Sequence, residues 1–154
     1  MIRPLSPGET RLATGLFGDA IDYRAVTIRA ARWWPLQPAD VCMAPDGHLW
    51  LPPGGYPWPA DFATAPFDLR AFFIHEMTHV WQAQRGGRWY LPLIRHPFCR
   101  YRYRLTEGRP FRRYGIEQQA EIAADAWRAM QGRPKPGCAP LDDYLAILPF
   151  RGIG

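Results

Sequence analysis

Lysine is nearly absent from this chain. Of its 19 Lys and Arg residues only Lys135 is a lysine, so arginine carries the formal charge of +5. That balance permits anionic partners without naming one. Cysteine is scarce too. Cys42, Cys99 and Cys138 are odd in number and far apart, with no CxxC pair. This argues against a disulfide framework and against a thiolate zinc site, and fits buried thiols in a reducing compartment. No run of about 18 apolar residues exists, which argues against a transmembrane helix. The N-terminus, MIRPLSPGETRL, lacks an apolar h-region and a small-residue cleavage site. The expectation is therefore a protein made in the cytoplasm without a cleavable signal. Internal repeats and low-complexity segments are also missing.

Core-forming material is plentiful. Hydrophobic residues make up 47% and aromatics 14% of the 154 residues. These values fit a packed globular protein and exclude a disordered one. The length fits one domain over residues 1–154, burying roughly two thirds of the surface its unfolded form exposes.

Local signals give an α+β order. Ser6-Pro7-Gly8-Glu9 is a capping-box pattern with proline at the first helical position, so a helix should run to about Phe17 and stop at Gly18. Residues 23–30 read as a strand. VCMA-PDGH-LWL places two apolar runs around Asp46-Gly47, a hairpin signal. The Pro/Gly-rich residues 52–66 should be an irregular loop. A helix is expected from about Phe67 to Arg85, ended by Gly86-Gly87. Residues 88–113 form a long connection, within which Cys99, Tyr101, Tyr103 and Leu105 alternate with Arg100, Arg102 and Arg104 at period two. Further helices are expected over residues 115–131 and 141–148.

The stretch FFIHEMTHVWQAQ, residues 72–84, carries the chemistry. On a helix His75 and His79 share a face at i and i+4, presenting two imidazoles to one point. Glu76 lies about 100° round the helix from His75. That position suits a base acting on a metal-bound water better than a third ligand, which is why HExxH serves metal-assisted hydrolysis. With four histidines and five glutamates in the chain, the pattern should arise in only roughly 0.3% of shuffled chains, and it has meaning only on a helix. The ion expected is Zn2+, which in catalytic sites takes three protein ligands and a water.

For the third ligand, His48 in the hairpin turn and His96 in the long connection are available. So is the helix IEQQAEIAADAW, residues 116–127, where Glu117, Glu121 and Asp125 share a face. Ala120, Ala123 and Ala124 around Glu121 suggest close helix packing, which could bring Glu121 to the metal. Asp125, one turn on, could then accept a hydrogen bond from a ligand histidine. Gln82, three residues after His79, approaches the same face and could touch substrate or brace a ligand. Tyr101, Tyr103 and Tyr114 are candidate oxyanion donors. Phe72, Phe73, Val80 and Trp81 read as core or cleft wall.

HExxH at 75–79 followed by Glu121-xxx-Asp125, 42 residues after His79, resembles the gluzincin arrangement. The longer stretches HEMTHVWQ and YGIEQQAEIAAD are similar to a family of small zinc metallopeptidases. Members are Vgr-related proteins or C-terminal domains of type VI secretion spike proteins. The likeness runs from about Leu5 to Asp125. It implies Glu121 as third ligand, with Glu117 as rival, and Glu76 as general base. It also implies a zincin-like α+β fold, in which a short sheet from about residues 23–51 packs on the HExxH helix and a second helix delivers the ligand. An edge segment around Val41–Leu51 would receive an extended substrate by strand addition.

The implied activity is zinc-dependent peptide hydrolysis, with a peptide or protein substrate and with a spike protein or an immunity protein as partner. The implied route is export by a contractile secretion system to a target-cell periplasm. Two other classes stand beside it: an SprT-like cytoplasmic protease recruited to nucleic acid, and a zinc-stabilised interaction module without turnover. The cluster Arg95, Arg100, Arg102, Arg104, Arg109, Arg112 and Arg113 would serve the nucleic-acid reading. Its alternation with apolar residues has a simpler account as a solvated row, so nucleic acid is not the expected partner.

Overall fold

The computed structural model describes residues 1–87, 90–94 and 100–152. Arg95, His96 and Cys99 lie outside them. The element order is β1 (Ile2–Pro4), α1 (Pro7–Phe17), β2 (Thr27–Arg29), β3 (Leu49–Trp50), α2 (Phe67–Gly86), α3 (Tyr90–Ile94), α4 (Ile116–Met130) and α5 (Leu141–Ile147). The result is a small α+β architecture with a three-stranded sheet.

α1 begins where its capping box stands. Ser6 Oγ accepts from the Glu9 amide, and Glu9 Oε2 accepts from the Ser6 amide, each at 2.9 Å. Glu9 is fully buried. It also takes both terminal nitrogens of Arg3 at 2.8 Å and the Phe62 amide at 2.9 Å. One carboxylate therefore ties β1, α1 and the loop before α2 together. α1 ends at Gly18, φ 57°, where an added Cβ would meet the Arg151 carbonyl oxygen at 1.8 Å. Only glycine fits there.

The sheet differs from the sequence expectation. The strand read over 23–30 is cut to Thr27–Arg29, because Asp22 accepts from the Arg24 amide and turns Tyr23–Ala25 into a single 3-10 turn. Ile2–Pro4 joins the sheet, antiparallel to β2, with Ile2 opposite Arg29. The expected hairpin around Asp46-Gly47 reduces to one bridge, Met43 to Trp50. β3 instead pairs in parallel with β2, with Ile28 opposite Leu49. Asp46 Oδ1 accepts from the His48 amide and from Trp50 Nε1, so the turn is held by a side chain in place of a ladder.

The three long helices follow their signals closely, and the loop over 52–66 carries one 3-10 turn, Phe62–Thr64. The short α3 was not expected. Residues 100–106 form no strand, and the alternation survives in burial only in part: Tyr103 and Leu105 are half-buried, whereas Tyr101 is exposed like Arg100, Arg102 and Arg104. One core joins these layers, with Val26, Ile28 and Leu49 of the sheet side in the same cluster as Phe73, Ile74 and Met77 of α2 and Ile122 and Trp127 of α4.

Candidate metal centre

Every residue of α2 from Phe73 to Ala83 is buried. A helix so enclosed places its polar side chains only where other polar groups meet them. α4 meets them. The pairs Asp68–Arg128, His75–Glu121 and His79–Glu117 run in opposite chain directions, so α4 lies antiparallel along α2. Ala120 and Ala123 are fully buried and Ala124 nearly so. Small side chains let the two helices approach closely, as the sequence suggested.

The two imidazoles face each other edge to face, ring centroids 5.0 Å apart. Glu117 Oε2 lies 3.1 Å from His79 Nε2 and 3.3 Å from His75 Nε2. Glu121 Oε1 lies 3.0 Å from the other nitrogen of the same ring, His75 Nδ1. The carboxylate that converges with both rings is thus Glu117, the rival of the sequence reading, while Glu121 reaches His75 alone. Glu121 takes the place expected of a carboxylate that orients a histidine. The register of the crossing sets this: α4 brings Glu117 level with both histidines and Glu121 level with His75 alone. Asp125, expected to hydrogen-bond a histidine, is also one turn too far. Its Oδ2 accepts from Tyr103 Oη at 2.5 Å.

Gln82 is a brace. Its Oε1 is 2.8 Å from His79 Nδ1, and Nε2 of the same ring faces Glu117 Oε2 at 3.1 Å. Gln82 Nε2 donates in turn to the Ile116 carbonyl and to Gln119 Oε1, and Gln119 Nε2 donates to the Tyr114 carbonyl. Gln119 had no signal in the sequence, since only the α2–α4 crossing places it there.

The electrostatics favour a cation. Burial pushes the His75 imidazolium down, but hydrogen bonds to Glu117 and Glu121 and the charge of Glu76 outweigh it, up to about 10. Burial likewise works against the Glu117 carboxylate, yet the two histidines hold it well below its usual range. Glu121 is lowered chiefly by its hydrogen bond to His75. Two imidazoles and a carboxylate oxygen, all buried and within 4.8 Å of one another, are the donor set that zinc takes in catalytic sites.

A cleft of about 370 Å³ opens on this cluster. Glu76, only 5% exposed, is in its wall, with Phe72 on one side and Val41 and Cys42 on another. Tyr101 also lines it, stacked on His75 at 6.3 Å and 10°. The other two tyrosines are elsewhere: Tyr103 is bound to Asp125, and the buried Tyr114 accepts from the Thr106 amide. His48 is remote from the cluster, with its Nδ1 against Thr27.

Comparison with known proteins follows this geometry. No family model matches the chain. It is 40% identical over 130 residues to the type VI secretion system spike protein VgrG2b of Pseudomonas aeruginosa, covering 80% of this chain but only 13% of that protein. It is also similar to a solved structure, the effector domain of Pseudomonas aeruginosa VgrG2b. There the identity is 38% and the TM-score 0.73, with 84% of this chain and 75% of that one covered. The chain belongs to the family of the VgrG2b effector domain.

Proposed function

We propose that this chain is a type VI secretion effector that hydrolyses peptide bonds with zinc, on a zincin-like fold. The observation that carries the reading is the convergence of His75, His79 and Glu117 at the base of a cleft that Glu76 also lines. His75, His79 and Glu117 would hold the ion. When bound, zinc supplies Lewis acidity toward a carbonyl oxygen and a water made nucleophilic at neutral pH. Glu76 accepts the proton of the attacking water and delivers it to the leaving amine. Gln82 would orient the His79 ring through Nδ1, and Glu121 would orient His75. Val41 and Cys42 form a wall along which an extended peptide can lie.

The effector role is drawn from the relatives, whose printed names concern a spike protein and its effector domain. Glu76→Gln tests the enzymatic reading. The variant keeps its zinc and loses peptide cleavage; retained cleavage sinks the base assignment. Expression with and without a periplasmic signal tests the effector reading. Toxicity confined to the periplasmic form, and abolished by Glu76→Gln, is the expected result.

A further inference from the structure

The chain's single lysine stands beside the proposed centre. Lys135 Nζ is 3.8 Å from Glu121 Oε2 and 3.6 Å from Asp125 Oδ1. Each carboxylate uses its other oxygen for structure, Glu121 Oε1 on His75 and Asp125 Oδ2 on Tyr103. Asp125 is 5% exposed, and its Oδ1 is a buried atom with no hydrogen-bond partner. The ammonium is too far from either oxygen for a hydrogen bond, and its side chain is half exposed. Charge alone holds it there.

A Pro- and Gly-rich loop presents Lys135. Pro134 and Pro136 flank it, and Gly132 and Gly137 turn the chain at φ 73° and 80°. Next to the cleft, which Lys135 lines, is a second cavity of about 560 Å³, walled by Tyr101, Tyr103 and Tyr144, by Arg102, Arg104 and Asp143, and by Asp125 and Glu121. Tyr101 and Glu121 line both this cavity and the cleft. Three tyrosine rings beside the carboxylates of Glu121, Asp125 and Asp143 can take an ammonium group on a hydrocarbon stem, with Arg102 and Arg104 as the cations it must pass.

We propose that this second cavity is a subsite for a primary-ammonium side chain of the substrate, a lysine or other diamino-acid residue, and that Lys135 stands in for that group until substrate displaces it. The inference rests on the peptidase reading, since it places the side chain beside the bond to be cut. A bound ammonium donates three hydrogen bonds, enough to satisfy Glu121 Oε2 and Asp125 Oδ1 at distances that Lys135 does not reach.

Because Lys135 is the only lysine, a chain labelled with 13C-lysine gives one Cε resonance that reports the site without turnover. With one equivalent of zinc added, perdeuterated n-butylammonium chloride should move this resonance toward the position of a free lysine. Sodium chloride of equal ionic strength should not, and in Asp125→Asn the response should disappear. Since Asp125 is buried and its variant can fail to fold, Lys135→Met provides a second arm. It should bind n-butylammonium about fivefold more tightly than the wild type, by saturation-transfer titration, because an exposed ion pair no longer competes. An identical response to sodium chloride, or unchanged affinity in Lys135→Met, overturns the proposal. Failure of the zinc reading would show separately, as absence of metal on analysis.

Discussion

Glu121 lies 3.0 Å from Nδ1 of His75, and Glu117, one turn earlier on α4, lies 3.3 Å from Nε2 of the same ring. One imidazole is thus held at both nitrogens by carboxylates of one helix. The two nitrogens imply two roles. The Nε2 side also faces His79, so in the proposed site Glu117 would hold the ion, whereas Glu121 would fix the ring from behind. Glu117→Ala should therefore lose zinc altogether. Glu121→Ala should keep it with affinity reduced roughly 10–100-fold. Competition against a chromophoric chelator measures both; the reverse order of effects would exchange the roles.

Gln82 connects His79 to α4 through Gln119 and the Ile116 carbonyl. Gln82→Met keeps the volume and removes every one of these bonds. Leaving buried partners unsatisfied costs about 1–3 kcal/mol. Urea denaturation of the metal-free chain should show that loss, and zinc affinity should fall as well, because the His79 ring is no longer oriented through Nδ1.

The pH dependence of the metal-free chain follows from His75. Its pKa is raised from 6.5 to about 10 in the folded state, so the folded chain holds this proton more tightly than the unfolded one. That contribution is complete below about pH 6.5 and is lost as pH rises toward 10. Glu117, lowered from 4.5, works in the opposite sense: its contribution is present above about pH 4.5 and lost in acid. Urea midpoints in the presence of a chelator should fall from about pH 7 to pH 10. Zinc affinity should rise over the same range, since the ion must displace the His75 proton. A flat chelator profile would contradict the charge assignment.

Tyr103 donates to Asp125, and its hydroxyl is 2.6 Å from that of Tyr144. Burial, followed by these hydrogen bonds, pushes its phenol far above the usual range. Tyr103→Phe should cost about 1–3 kcal/mol in thermal or urea unfolding. In the folded wild type this phenol should stay protonated through an alkaline absorbance titration.

The helices were legible because their signals are local. Ser6 and Glu9 cap α1, Gly18 and Gly87 stop helices, and the i, i+4 spacing of His75 and His79 is a property of one helix. The sheet was not, since Ile2–Pro4 has no strand pattern of its own and acquires one only by pairing with β2. The choice between Glu117 and Glu121 was not legible for a related reason. Both lie on the same face of α4, and which one reaches the metal position depends on a crossing point set by the packing of Ala120, Ala123 and Ala124. Periodicity names the face of a helix but not the turn that meets its neighbour. The tract at 100–105 kept its alternation only at Tyr103 and Leu105, with Tyr101 exposed, and formed no strand, because period two describes burial and does not require a ladder partner.

The most direct test of the central claim is a crystal structure of the zinc-loaded chain. The account predicts one ion held by His75 Nε2, His79 Nε2 and a Glu117 oxygen, each at about 2.0–2.2 Å, with a fourth position facing Glu76 and open to the cleft. Zinc bound by Glu121 with Glu117 outside the shell would contradict the ligand assignment, and no ion between the two histidines would contradict the account as a whole.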